Sequence, residues 1–274
     1  MTTTDAANDA GFDALTAKIA RERGFGCGGY KPTCLKRRIA VRMRARGVHR
    51  YEDYAHLLDG DRDEYDRLID TLTINVTKLF RNPEAWAAVE REVWPALFAR
   101  PERALRVWSA GCSSGEEPYT LAITALRAAQ AARAPQAASR VHIIATDIDA
   151  RSLDRARAGE FAEGAFGDEP PDVRSRWFEP GWPARATQEP RALIRVERRD
   201  LLEEPAPPGK WHLLVCRNVI IYFDRESQDK LFRRFHEALV PGGFLVLGKV
   251  ESLLGGSRAL FEVVNSRERI FRRP

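Results

Sequence analysis

The sequence predicts a doubly wound, mostly parallel α/β sheet preceded by a small all-helical domain, and three observations lead there. Up to about residue 70, apolar residues recur only at helical intervals. After Ala104, short apolar runs of strand type alternate with amphipathic helical stretches, the rhythm of a parallel sheet. Between residues 106 and 123, RVWSAGCSSGEEPYTLAI reads as strand, tight turn of small residues, then helix, and such a turn lets backbone approach a ligand closely. The expected division is 1–80 for the helical domain and 81–274 for the ligand-binding sheet domain.

In the first part Phe12, Leu15 and Ile19 share a helical face, then Leu35, Ile39 and Met43, then Tyr54, Leu57 and Leu58. Residues 24–29 and Gly47 break these helices apart. Residues 31–50 hold Lys31, Lys36, Arg37, Arg38, Arg42, Arg44, Arg46 and Arg50 without one acid. The arginines fall between the apolar positions of the second helix. Arg38, Arg42 and Arg46 are therefore expected on an outward face that meets an acidic partner. Residues 71–86, TLTINVTKLFRNPEAW, then alternate Thr73, Asn75 and Thr77 with Ile74 and Val76, an extended polar segment suited to hydrogen-bonding a ligand. Asn82-Pro83-Glu84 starts the next helix with proline in its first position.

Strands are expected at 105–110, 141–146, 193–196, 211–216 and 244–248, with helices at 116–131, 149–158 and 226–239. Residues 161–190 are rich in proline, glycine and tryptophan without a clear period and read as an insertion or irregular lid. The tail 261–271 reads as one or two strands around a turn near Ser266.

Composition narrows the class. Hydrophobic residues at 44% and charged residues at 30% describe a soluble globular protein. The longest apolar runs are too short to cross a bilayer, and MTTTDAANDAG lacks the apolar core of a secretory leader, so a cytoplasmic protein without membrane insertion is expected. The four cysteines form no C-x-x-C pair and have no histidine at ligand spacing, so no metal is expected.

Ligands of an open α/β sheet lie at the carboxyl ends of its strands. Read in turn, those ends give Gly111 to Glu116, Asp147, Asp200 and Arg217-Asn218. Asp147 can accept from ribose hydroxyls and Asp200 from an adenine amino group, which together describe an adenosine site; each could also be a cap or turn residue, and Asp149 reads as a helix N-cap. Three readings compete for the turn after the first strand. G-x-S-x-G would make Ser113 a hydrolase nucleophile, but His142 and His212 open strands at the far edge and His236 lies inside a helix. A dinucleotide loop lacks G-x-G-x-x-G, and Glu116 and Glu117 oppose a pyrophosphate. A cofactor without phosphates but with cationic groups fits better, and S-adenosylmethionine (SAM) carries a sulfonium and an ammonium.

TINVTKLFRN, VWSAGCSSGEEPYTLAI, IIATDIDARSLDRAR and CRNVIIYFD, with the helix after it and PGGFLVLGKVESL, together resemble the CheR family of chemotaxis-receptor glutamate methyltransferases, from about Lys31 to the end. GKVES replaces the common GHSE-type ending of the fifth strand, and Lys78 and Leu79 stand where many members have small or aromatic residues. The resemblance implies a class I SAM-dependent methyltransferase, Rossmann-like, with a small helical N-terminal domain. It implies methyl transfer from SAM to glutamates in the cytoplasmic helical bundle of a chemoreceptor, with S-adenosylhomocysteine as product. Cofactor contacts would come from Asn75, Thr77, Arg81, Gly111, Glu116, Asp147, Asp200, Leu201, Asn218 and Val219. Tyr222, near the methyl group, and Arg81 are the catalytic candidates. A SAM-dependent RNA methyltransferase and a catalytically silent SAM sensor are the alternatives. No aromatic-plus-basic RNA module is visible, so no nucleic-acid partner is expected.

Overall fold

The computed structural model describes residues 3–73 and 77–274, with side chains from residue 9 onward. The chain forms two compact units, one of Met1–Ile74 with Tyr222–Ser227, the other of Asn75–Ile221 with Gln228–Pro274. The division expected at residue 80 falls inside the second.

The helical unit contains α1 (Thr3–Arg23), α2 (Pro32–Ala45), α3 (Tyr51–Gly60) and α4 (Arg62–Leu72). Proline opens α2, and the Asp61 carboxylate caps α4 by accepting the Glu64 N–H at 2.9 Å. α1 packs on α3 and α2 on α4. Phe12, Leu15, Ile19, Leu35, Ile39, Met43, Tyr54 and Leu58, all read as facing inward, are buried. Residues 222–227 join this unit through Lys31 N–H to Tyr222 O and Asp224 N–H to Gly29 O, both 2.9 Å, and through the edge-on Tyr30–Phe223 ring pair.

Of the arginines expected on the open face, Arg38 and Arg42 turn inward, and Arg46 is exposed but paired. Glu64, on α4, is 0% exposed. Arg42 grips both of its carboxylate oxygens, Tyr54 O–H donates to it at 2.7 Å, and Arg46 lies 3.8 Å from it and 3.0 Å from Asp61. Burial pushes the Glu64 carboxyl up, but the bonds from Arg42 and Tyr54 outweigh it and hold the group below its ordinary range. Arg38 is only 6% exposed; it donates to the Leu72 carbonyl, and its guanidinium lies 4.5 Å from the Tyr222 ring centroid. Acids missing from residues 31–50 thus come from α4, distant in sequence. Arg37, Val41 and Arg44 are among the residues α2 turns outward.

The second unit opens with α5 (Pro83–Ala88), which passes through a π turn (Val89–Val93) into α6 (Trp94–Phe98). There follow β1 (Leu105–Ala110), α7 (Glu116–Ala131), β2 (Val141–Asp147), α8 (Ala150–Ala158), β3 (Glu160–Phe161), α9 (Val173–Trp177), β4 (Ala184–Arg185), α10 (Gln188–Arg191), β5 (Ile194–Arg198), β6 (Trp211–Cys216), α11 (Arg225–Ala238, whose first turn belongs to the helical unit), β7 (Leu239–Leu247), β8 (Glu262–Asn265) and β9 (Ile270–Arg272). The main sheet runs β5-β2-β1-β6-β7-β9-β8. Its first five strands are parallel, and β9 is antiparallel to both neighbours. β1 is central, with Val107 opposite Ile143 on one side and Leu213 on the other. Every residue of β6 is buried, as a parallel strand covered on both faces requires.

Residues 161–190 are not a lid. Phe161, Val173, Trp177, Phe178 and Ala184 belong to the main hydrophobic core, and the Phe161 ring meets Tyr119 of α7 edge-on at 5.1 Å. Their elements are two to five residues long, too short to show a period.

Replacing Arg42 with alanine leaves the fully buried Glu64 without its main counter-charge and should destabilise the helical unit by about 3–5 kcal/mol. Arg44→Ala, at an exposed position, should change stability by less than about 0.5 kcal/mol. Equilibrium urea unfolding of the two variants checks this; equal midpoints would remove the structural role given to Arg42.

Candidate cofactor site

Strand order reverses between β1 and β6, so the crevice at their carboxyl ends is the expected ligand site of this sheet. Gly111 begins the loop after β1 at φ +82°, donating its N–H to Thr146 O at 2.8 Å. A Cβ here would stand 2.5 Å from Val219 Cγ2, so only glycine lets the loop and the turn after β6 approach this closely. Ser113, at φ +48°, donates its N–H to Asp147 Oδ2 at 2.8 Å, while Asp147 Oδ1 accepts from Asp149 N–H at 3.0 Å. Burial raises the Asp147 pKa and these backbone bonds oppose the rise. The Ile148 N–H also bonds this carboxylate, so of its four acceptor positions one remains for a ligand hydroxyl. Asp149 caps α8 as expected, accepting from Arg151 N–H at 3.0 Å and Ser152 O–H at 2.7 Å.

Among the described residues no histidine approaches the G-x-S-x-G loop from the places expected of a hydrolase. His212 accepts the Arg106 N–H at 3.0 Å at the opposite end of β1, His142 lies in β2 and His236 in α11.

α7 starts with two buried acids. Ser114 O–H donates to Glu116 at 2.8 Å, and burial raises this carboxyl above its ordinary range. Ser109 O–H donates to Glu117 at 2.8 Å; burial pushes Glu117 up to about 7, with Arg217 the strongest opposing charge.

Arg217, at the end of β6, is buried and donates to Arg81 O at 2.9 Å and Asn82 Oδ1 at 3.1 Å, stacked 4.8 Å over Trp86. The segment before α5 is thereby tied to the sheet edge. Asn218 follows in left-handed backbone at φ +61°. Glu251, 3% exposed, accepts the N–H groups of Asn218, Val219, Ile220, Ile221 and Gly248 at 2.6–3.4 Å. Burial raises its pKa and these bonds oppose the rise. At β5, Asp200 Oδ1 accepts from Leu202 N–H at 2.8 Å and Glu203 N–H at 3.3 Å, and Arg234 of α11 donates to the Leu201, Leu202 and Glu204 carbonyls around buried Leu201.

Gly111, Glu116, Asp147, Asn218 and Val219 therefore converge on the β1/β6 edge, with Asp200 and Leu201 two strands away beyond β2. Thr77 is half-buried just before this region, Asn75 lies outside the described residues, and Tyr222 belongs to the helical unit. Glu251 was not singled out from sequence, and Glu117 was read there only as an acid opposing a pyrophosphate. The signal for Glu251 was the acid of GKVES, read there only as a departure from a motif. Among the described residues no group of three or more His, Cys, Asp and Glu side chains could hold a metal.

Six strands running one way, with the antiparallel β9 inserted before the last of them, and acids rather than cations in the loop at the order reversal, define a class I SAM-dependent methyltransferase. Residues 75–270 match the model of the CheR methyltransferase SAM-binding domain and residues 10–73 that of the CheR methyltransferase all-alpha domain. The chain belongs to the CheR methyltransferase family. It is 35% identical to the chemotaxis protein methyltransferase of Listeria innocua over 88% of this chain and 89% of that one. Chemotaxis protein methyltransferase 1 of Pseudomonas aeruginosa is 32% identical over 90% and 92%. An uncharacterized 104.1 kDa protein of Rhodobacter capsulatus is 38% identical over 88% of this chain, which spans only 25% of its length.

Because the folded pKa of Glu117, about 7, exceeds the ordinary 4.5, the native state binds the extra proton between those values. Its contribution to stability is full below pH 4.5 and is lost as pH rises through about 7. Glu117→Gln should therefore lose less stability than wild type between pH 5 and pH 8, by on the order of 1–3 kcal/mol. Urea titrations at both pH values check this, and parallel losses would contradict it.

Proposed function

We propose that the protein transfers the methyl group of SAM to glutamate side chains of a chemoreceptor's cytoplasmic helical bundle, forming methyl esters and S-adenosylhomocysteine. The observation that carries this reading is the acidic, phosphate-averse edge at β1/β6: a glycine and serine loop without lysine or arginine, flanked by Glu116, Glu117 and Asp147. Such donors and acceptors fit a cofactor with a sulfonium, an ammonium and ribose hydroxyls. In this reading Asp147 takes the ribose hydroxyls, Glu116 and the Gly111 loop face the cationic end, and Asp200 with Leu201 bounds the adenine. Asn218 and Val219 floor the site, with Asn75, Thr77 and Arg81 contributing from the segment before α5. Tyr222, next in sequence after the turn, is the residue the family places near the methyl group.

When bound, SAM supplies an electrophilic methyl group. The receiving carboxylate is ionised near neutral pH, so the protein needs no general base. Its task is to hold the acceptor oxygen in line at near-attack separation and exclude water. The two chemotaxis methyltransferases support the substrate class by name. Docking falls to the outward cations of α2, Arg37 and Arg44 with Arg46 beside them, meeting an acidic receptor surface; Arg38 and Arg42 act from within by shaping the helix that carries them.

Asp147→Ala should weaken S-adenosylhomocysteine binding by about 1.5–3 kcal/mol in calorimetry. Unchanged affinity in a folded variant would remove the ribose assignment. Labelled SAM should methylate receptor cytoplasmic fragments and leave total RNA unlabelled; label in RNA alone would replace the substrate reading. Arg37→Glu with Arg44→Glu should slow receptor methylation more at low salt than at high salt while leaving cofactor affinity unchanged.

A further inference from the structure

Asn218 leaves β6 in left-handed backbone, and the short 3-10 turn Ile220–Tyr222 follows. Backbone of this kind turns successive N–H groups toward one point and makes a concave site for an anion. Here that anion is a side chain. Glu251 Oε1 accepts from Val219 at 2.9 Å, Ile220 at 2.8 Å and Ile221 at 3.4 Å, and Oε2 accepts from Asn218 at 3.0 Å and Gly248 at 2.6 Å. All five partners are donors, so the geometry suits the carboxylate and offers nothing to a carboxylic O–H. A Cβ at Gly248 would stand 2.7 Å from Glu251 Oε2 and 2.8 Å from Asn218 N, so the ends of β6 and β7 close on the carboxylate without room for a larger residue. The turn so held places Val219 against Gly111, and the loop after β1 is thereby positioned too.

We propose that Glu251 is a positioning residue for the cofactor: its carboxylate fixes the backbone of residues 218–221, and through Val219 the Gly111 loop, in the shape that receives SAM. The role rests on the SAM reading above. Glu251 need not touch the cofactor. It acts through the turn, so its loss is felt first as cofactor affinity rather than as chemistry on a bound cofactor.

The test uses the full chain as wild type, Glu251→Gln, which keeps the size but presents an amide N–H₂ to the donors, and Glu251→Asp, which keeps the charge on a shorter stem. Calorimetry with S-adenosylhomocysteine should show at least tenfold weaker binding for Glu251→Gln and partial recovery for Glu251→Asp. With receptor fragments, Glu251→Gln should raise the KM for SAM by a larger factor than it lowers kcat. Amide hydrogen exchange read by mass spectrometry should show residues 217–222 losing protection while 211–216 keep theirs. Wild type that fails to bind S-adenosylhomocysteine would defeat the SAM reading itself. Wild type that binds, beside a folded Glu251→Gln within twofold of its affinity, would overturn the positioning role. If Glu251→Gln does not fold, Glu251→Asp and its exchange pattern decide, and unchanged protection at 217–222 with unchanged affinity overturns the proposal.

Discussion

Where parallel strands end, the chain turns and the N–H groups of the turn lose their ladder partners; in a buried sheet edge each must find another acceptor. This protein meets that constraint with carboxylates. Asp147 takes the N–H groups of Ser113 and Asp149, Asp200 those of Leu202 and Glu203, and Glu251 those of five residues around the ends of β6 and β7. The same groups that let the turns fold also set the electrostatic character of the edge. In the function proposed above, such acids disfavour phosphates and favour a ligand with positive charge, so one set of side chains would meet both the structural need and the choice of cofactor.

The architecture was legible because it follows from periodicity, which is local. Alternating strand and helix signals, the buried run of β6 and the small-residue turn at 111–115 each depend on neighbours a few residues apart. The site edge was legible for a related reason: in this fold, strand ends are functional positions, and strand ends can be found by reading along the chain. Asp147 and Gly111 could therefore be placed at strand ends without knowing any contact.

What was not legible depends on pairing across distance. Glu251 lies 33 residues beyond Asn218, the residue whose N–H it accepts, and no local pattern announces that bond. The acid-free block at 31–50 shows the same limit from the other side. Its composition suggested an unsatisfied positive face, yet Glu64 and Asp61 of the next helix pair claim Arg42 and Arg46, and Arg38 turns inward to a carbonyl and a ring. A charge run describes a segment, whereas exposure depends on what packs against it. Residues 161–190 make the point for apolar groups: short elements hide their period, but Phe161 and Trp177 are as buried as the strands.

The antiparallel strand β9 lies between β7 and β8, although it follows both in sequence. Within the described residues, β8 has no other strand to pair with in the sheet. β8 therefore reaches the sheet only through Ile270 to Arg272, which pair with it on one side and with β7 on the other. The edge of this sheet thus hangs on a three-residue strand, and Val263, exposed on β8, is apolar surface at an edge that another strand could pair with.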